Sequence, residues 1–319
     1  MLCRFSSVPQ EGRGDPPACP ALAEKYIGAS DGIAHGPEGY KAPPFRSQRK
    51  CRRKRCSARS LIPRTHLRVR YNIAMSQTAS AITRSPAEIV RTSPVTQAPN
   101  GICYARSGEI TIAENDLDRM VAAVPVPVAT ALSRKAYYFV PLTISQGDET
   151  LIADRYDVAL SDNAVCHRNL NLGDAQCVFI STRLMDDKFS VAFEFYINVG
   201  HALVERAGVS ASFAELASQQ VESGVRGETS LDAWEARKLA TGHGPDAEKY
   251  KNEYLSASFA DAISIYLLSL CLDVDYHDLR ERDYPLLAPT PMAERLRKIA
   301  EIFPPNPGFE FNIYYRRRA

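Results

Sequence analysis

The chain has 319 residues and a mass of 35.3 kDa, and its 45% hydrophobic and 24% charged residues are ordinary for a globular protein. Its net charge of +2 hides an asymmetry between two parts of the chain. Residues 1–74 hold 15 basic and 5 acidic groups, whereas residues 75–319 hold 24 basic and 32 acidic groups. That acidic body is not a nucleic-acid binder by charge. Only four of the eight cysteines lie in it, and the absence of any Cys-x-x-Cys pair excludes a disulfide framework or zinc ribbon.

Residues 1–74 are expected to form a disordered basic leader, since Pro and Gly recur and no apolar period persists. The basic run at 49–55 could localise the protein to the nucleus or contact nucleic acid, and it is the one place where nucleic-acid binding is expected. A simpler interpretation is that translation starts at Met75, where the composition changes abruptly. Residues 75–110 lack a clear period and are predicted to be flexible.

The predicted strands come early in the remaining chain. Ala113–Val124 is predicted to be a short helix that ends before Pro125. Strand composition follows at Ala136–Ile144, Glu149–Ala159 and Cys177–Leu184, with a turn at 146–148 between the first two.

Helices dominate after Asp186. The periodicity predicts helices over Phe189–Ala207, 210–221, Leu231–Thr241, 246–272 and Pro291–Ile302, followed by an extended segment at Phe309–Tyr315. Residues 111–319 are therefore predicted to form a single α+β domain that is predominantly α-helical in its C-terminal half. With no secretory signal and no uninterrupted apolar run of 18 residues, we expect a cytoplasmic protein without a membrane span.

A narrow polar stripe follows the predicted helix Phe189–Ala207. At 100° per residue, Glu194, Asn198, His201 and Glu205 lie within about 60° of one another. Large apolar residues flank them, so the stripe is either the solvent face of a surface helix or a buried polar seam. A buried seam would require a partner for each group.

The stripe carries a resemblance to a known family. The string Phe-Tyr-Ile-Asn-Val-Gly-His-Ala-Leu at 195–203 resembles the active-site helix of zincin metallopeptidases. The order of elements is also similar: a strand, this helix, and a later helix in which Ser-Phe-Ala-Asp-Ala at 258–262 resembles a stretch of the glutamate-ligand branch. The resemblance covers about a third of the chain, and it implies a zincin-like fold.

The departures from the zincin pattern argue against peptidase activity. Zinc hydrolysis needs two imidazoles one turn apart, a third ligand and a carboxylate base. On this alignment Ile197 replaces the first His, Asn198 replaces the general base, and Ala257 stands at the third-ligand position. Only His201 remains of the metal ligands, with Asp261 at a position that would support them. The resemblance therefore implies a zincin-like domain without the peptidase machinery.

A metal site of another kind remains an alternative. His201, Glu205 and Asp261 could bind zinc or iron between the two long helices, and Glu194 or Glu253 could add a carboxylate. The Glu-x-x-His spacing of bundle metal proteins is missing, so no cofactor is expected in the first instance.

Three hypotheses follow from these patterns. In the first, the protein is a catalytically degenerate zincin-like domain that binds an unknown protein or small-molecule ligand in the old cleft. In the second, it is a metal-dependent enzyme with a non-standard His/carboxylate site. In the third, it is a structural or interaction module in which the stripe is ordinary surface.

Overall fold

The protein is described by a computed structural model that covers residues 2–6, 80–146, 149–185, 187–242, 246–275 and 284–316. Strands and helices are both abundant, and the strands precede most of the helices, so the predicted α+β class is confirmed. The strands are β1 Leu2–Ser6, β2 Thr83–Arg84, β3 Val95–Gln97, β4 Cys103–Arg106, β5 Lys135–Val140, β6 Leu142–Gln146, β7 Glu149–Ala153, β8 Ala164–Val165, β9 His167–Leu172, β10 Ala175–Ser181, β11 Val274–Asp275 and β12 Asn312–Arg316. The helices are α1 Pro86–Thr92, α2 Glu114–Ala122, α3 Val126–Ala131, α4 Val158–Ser161, α5 Lys188–Ala207, α6 Ala211–Glu222, α7 Leu231–Ala240, α8 Ala247–Cys271 and α9 Pro289–Ile302.

A five-stranded mixed sheet organises the first half of the domain. Its order is β3-β4-β5-β10-β9, with β4, β5 and β10 parallel and the two outer strands antiparallel to their neighbours. The central strands are apolar on both faces, as expected for strands covered on both sides. One face carries Tyr137, Phe139, Val178 and Ile180 toward α5, and the opposite face packs against Ile89 of α1.

A second sheet has the strand order β2-β7-β6-β8. Two of the predicted strands differ from the strands observed in this region. The predicted strand Ala136–Ile144 is two strands, because Pro141 interrupts it between β5 and β6, which belong to different sheets. The predicted strand Glu149–Ala159 ends at Ala153. Beyond it, the Asp157 side chain accepts a hydrogen bond from the Ala159 amide and begins the short helix α4.

The predicted helices of the C-terminal half are confirmed to within a few residues at each end. α5 begins where the Asp187 side chain accepts a hydrogen bond from the Ser190 amide, and it ends at Gly208, which has a φ of 73°. In the same way, the Ser230 hydroxyl caps α7 by accepting a hydrogen bond from the Ala233 amide. Local capping chemistry therefore sets these boundaries.

Helix α8 is the centre of the helical half and packs against α5, α6, α7 and α9. By length and composition alone it could cross a membrane, yet 83% of its most apolar 18-residue window is buried inside the protein. Its contact with α5 is close at Gly200, where a Cβ atom would lie 2.5 Å from the carbonyl oxygen of Ala260. This approach fixes which face of α5 meets α8.

The expectation of a flexible segment at 75–110 is corrected for residues 80–110. These residues contain β2, α1, β3 and β4, and both β3 and β4 belong to the central sheet. Strands of two to four residues are too short to show a period of two in the sequence. These strands are held in place by pairing with other strands. In β4, for example, Cys103 lies opposite Ala136 of β5 and Arg106 lies opposite Phe139.

Little of the predicted basic leader falls within the described residues. The exception is β1, whose backbone pairs antiparallel with β11 and β12. The basic run at 49–55 and the remainder of residues 7–79 lie outside the described residues.

Candidate functional site: a polar seam along helix α5

The structure divides the predicted stripe of α5 into a partly buried half and an exposed half. Asn198 is 7% exposed and Glu194 is partly buried, whereas His201 and Glu205 are exposed. The neighbouring Tyr196 and Phe195 are fully buried and hold the helix against the sheet. The stripe is therefore neither a plain solvent face nor a fully buried seam.

Glu194 is paired with a residue that sequence analysis did not select, His167 at the start of β9. The Nδ1 atom of His167 lies 2.5 Å from Oε1 of Glu194. Because a carboxylate accepts hydrogen bonds, this geometry favours the tautomer in which Nδ1 carries the proton. The Nε2 atom then remains an acceptor, which is how a carboxylate orients an imidazole for binding or proton transfer.

The neighbouring thiol of Cys166 does not complete a nucleophilic pair. Burial, followed by the negative charge of Glu194, raises the pKa of Cys166. A reactive cysteine requires the opposite shift, so the thiolate is disfavoured here at neutral pH.

Strand β9 presents further polar groups on the face that carries His167. His167 pairs with Ile180 and Asn169 pairs with Val178, and both of these β10 residues face α5. The alternation of side chains places Asn171 on that face as well. Asn169 and Asn171 are exposed, and within the described part of the chain no strand pairs with the outer edge of β9.

Asn198 continues this surface but has no acid–base function. Its side-chain amide donates a hydrogen bond of 2.9 Å to the backbone carbonyl of Glu194, one turn earlier in the helix. A carboxamide cannot accept a proton from water at neutral pH, so the arrangement provides a polar contact and no general base.

Farther along α5, His201 lies near Asp261 of α8, whose carboxylate is firmly held. Oδ2 of Asp261 accepts a hydrogen bond of 2.7 Å from the Thr229 hydroxyl. Burial raises the pKa of Asp261, although hydrogen bonds from Ser230 and Thr229 and the charge of His201 act in the opposite direction. Sequence analysis thus selected two residues, His201 and Asp261, that are 60 positions apart in the chain and lie near each other in the structure.

Glu205 does not join them in a metal site. It is exposed and lies 3.5 Å from Nζ of Lys135, so a cation is already beside it. Over the residues that the structure describes, no group of three or more His, Cys, Asp and Glu side chains is placed to hold a metal ion. Metal binding by His201, Glu205 and Asp261 therefore stays a prediction for which the described residues give no support.

We use the name polar seam for His167, Asn169, Asn171, Glu194, Asn198, His201 and Asp261. Glu194 and His201 are seven residues apart, so the two imidazole–carboxylate groupings are separated by about 10 Å along the helix axis. Strand β9 and helices α5 and α8 carry the residues of both groupings.

Sequence analysis also missed a buried ionic network between α6, α7, α8 and α9. Glu228, at 0% exposure, accepts hydrogen bonds from Nη1 of Arg237 at 2.9 Å and from Nη1 of Arg295 at 2.8 Å. Arg295 is also fully buried, and it donates to Gln220 and to the Tyr254 hydroxyl. One signal was available, since Arg295 interrupts the apolar stripe of the helix formed by Pro289–Ile302.

Comparison with models of known protein families, with curated proteins and with solved structures finds no match for this chain.

Proposed function

We propose that the domain binds an extended, positively charged polypeptide along the polar seam, and that it has a zincin-like helix pair without peptidase activity. The observation that carries the proposal is the position of β9. This edge strand lies beside α5, presents His167, Asn169 and Asn171 on the α5 face, and has an unpaired outer edge among the described residues.

Edge strands bind extended peptides by adding a strand to the sheet. Main-chain hydrogen bonds supply affinity, and alternate side chains of the peptide contact the adjoining surface. Here the adjoining surface is α5, and the exposed amides of Asn169 and Asn171 could pair with polar side chains of a ligand. Strand addition also satisfies the row of backbone donors and acceptors at the outer edge of β9, which is unpaired among the described residues.

The charge of the seam indicates the kind of peptide. Glu194 and Asp261 each contribute a carboxylate, and Glu205 lies one turn beyond His201 on the same helix. The positive charge of Lys135 offsets the negative charge of Glu205. The residues of the seam include two carboxylates and no Lys or Arg, which favours Lys or Arg side chains in a ligand.

The absence of peptidase activity rests on the chemistry of the residues. Ile197 has no atom that can bind a metal, and the Asn198 amide is engaged with the backbone carbonyl of Glu194. One imidazole and one carboxylate remain where catalysis needs three ligands and a base. The zincin resemblance then concerns only the arrangement of α5 and α8, for which the close contact at Gly200 is supporting.

Fluorescence anisotropy with a labelled nine-residue peptide of alternating Lys and Thr tests the proposal. The full chain should bind this peptide at low salt and bind a Glu–Thr peptide at least about tenfold more weakly, because like charges face each other across the seam. Methylation of alternate backbone amides of the Lys–Thr peptide should also weaken binding, since strand addition uses those donors.

Matched variants locate the binding. The double variant Glu194→Gln/Asp261→Asn should lose about tenfold in affinity for the Lys–Thr peptide. Glu205→Gln, on the same helix but beside Lys135, should change it less than about twofold. Equal binding of the two peptides, or no effect of the double variant, would overturn the proposal. Zinc-dependent cleavage of the peptide would instead favour the metalloenzyme hypothesis.

A further inference from the structure

A cleft of about 430 Å³ lies at the carboxyl end of β4, away from the residues of the polar seam. It is bounded by β3, by β4 with the loop that follows, and by the first turns of α2. Its lining includes Thr96, Tyr104, Arg106, Gly108, Glu114 and Asp118. The volume falls within the range of small-molecule sites, and the carboxyl ends of parallel strands are frequent places for them.

The loop after β4 is held firmly against the neighbouring sheet. Gly108 has a φ of 76°, and a Cβ atom at this position would lie 2.5 Å from the carbonyl oxygen of Asp154. The next amide, that of Glu109, donates to the same carbonyl at 2.7 Å. The wall of the cleft is therefore preformed.

The charges within the cleft are not balanced. Nη2 of Arg106 lies 2.6 Å from Oε1 of Glu114, so these two charges are matched. Oδ1 of Asp118 accepts a hydrogen bond of 2.6 Å from the Tyr104 hydroxyl, and no ion pair joins Asp118 to a basic side chain within the described ranges. Among the described residues, one carboxylate in the cleft thus lacks a cationic partner.

The hydroxyl of Tyr104 stays a neutral donor. Burial, with the hydrogen bond to Asp118 as the next cause, raises the pKa of Tyr104. Tyr104 therefore orients the carboxylate without neutralising it, and no hydrogen bond between described residues uses the second oxygen of Asp118. Pro94 and Ile110 add apolar surface to the same cleft.

We propose that this cleft binds a small organic cation, with its primary ammonium group on Asp118 and its hydrocarbon part against Pro94 and Ile110. An ammonium supplies the charge that the cleft lacks and donors for the remaining carboxylate oxygen. An anion would have to displace Glu114 from Arg106. The site is independent of the polypeptide-binding proposal.

The direct test is NMR titration of the full chain with butylamine, using butyrate and 1-butanol as probes of matched size. Butylamine should shift the backbone amides of Arg106, Gly108 and Asp118 with millimolar affinity, and the other two compounds should have little effect at the same concentrations. This measurement needs no variant. Equal shifts from butylamine and 1-butanol, or stronger shifts from butyrate, would overturn the proposal.

Two variants of α2 then separate the site from general electrostatics. Asp118→Asn should weaken butylamine binding by at least about fivefold, because the unmatched charge is lost. Asp116→Asn removes a charge two residues away that is held by Lys188 at 2.5 Å and does not line the cleft. Its affinity for butylamine should stay within about twofold of the unsubstituted protein, and equal losses in both variants would contradict an ammonium site at Asp118.

Discussion

The polar seam and the buried ionic network use similar residues in opposite ways. In the network, Glu228 and Arg295 are fully buried, and Arg237 is nearly so. Hydrogen bonds connect all three, and the Tyr254 hydroxyl and Gln220 complete the partners of Arg295. In the seam, by contrast, the carboxylate of Glu194 contacts the imidazole of His167, and both side chains are only partly buried.

This difference separates charges that are enclosed in the fold from charges that are partly open to solvent. A buried charge is tolerated only when it is paired and hydrogen-bonded, so the network is committed to holding four helices together. A partly exposed carboxylate with spare acceptor capacity can exchange water for a ligand at a smaller cost. We therefore expect changes in the network to alter stability, and changes in the seam to alter binding.

The largest expected effect is on the network. Arg295→Met should lower the free energy of unfolding by about 3–5 kcal/mol, because it leaves Glu228 buried beside a single guanidinium. Urea denaturation measures this change. The control Lys298→Met, which removes only a surface ion pair with Glu301 on the same helix, should stay within about 1 kcal/mol of the unsubstituted protein. A loss below 1 kcal/mol for Arg295→Met would show that the network is not structural.

A smaller effect on the free energy of unfolding is expected at Gly200, where α5, the helix that carries the seam, packs against α8. Gly200→Ala should lower the free energy of unfolding by about 1–3 kcal/mol, since the new methyl group would meet the Ala260 carbonyl and the Ser264 hydroxyl. At an open helical position the same change would be stabilising by about 1 kcal/mol. Thermal or urea unfolding distinguishes the two cases, and a more stable variant would contradict the close packing of α5 on α8.

The smallest expected effect is a change of stability with pH that arises from the ionisation of Asp261. Burial raises its pKa above the unfolded value, so the folded state binds more protons than the unfolded state between the two values. Stability from this group is therefore present at low pH and is lost as the pH rises through that window.

Asp261→Asn removes this ionisation while keeping an oxygen acceptor for Thr229. The melting temperature of the variant, relative to the unsubstituted protein, should rise between pH 4 and pH 7. A constant difference over that range would show that the carboxylate is not disfavoured by burial. Glu205→Gln, at an exposed position, serves as the control.

The predicted fold was most accurate where local chemistry decides the structure. Asp187, Ser230 and Gly208 mark helix ends, and α5, α7 and α8 were predicted to within a few residues. Strands β4 and β9 were not predicted, because each is stabilised by pairing with a strand distant in sequence or structure, β4 with β5 and β9 with β10. No pattern within a short window contains that information.

The candidate site was predicted in part for the same reason. Helical geometry alone placed Glu194, Asn198 and His201 on one stripe, and the zincin resemblance selected Asp261 on α8. The partner of Glu194, His167, lies 27 residues earlier on an unpredicted strand. Glu205 belongs to the helical stripe by angle, but its position one turn farther along places it beside Lys135.

If the seam recognises a basic polypeptide, as proposed, both of its imidazole–carboxylate groupings should respond to the ligand. The most direct measurement is NMR of the imidazole side chains of the full chain during titration with the Lys–Thr peptide, without added metal. We expect the resonances of His167 and His201 to shift together while those of the other four histidines stay unchanged. No shift at His167 and His201, or a shift of both only when one equivalent of zinc is added, would contradict a metal-independent binding seam.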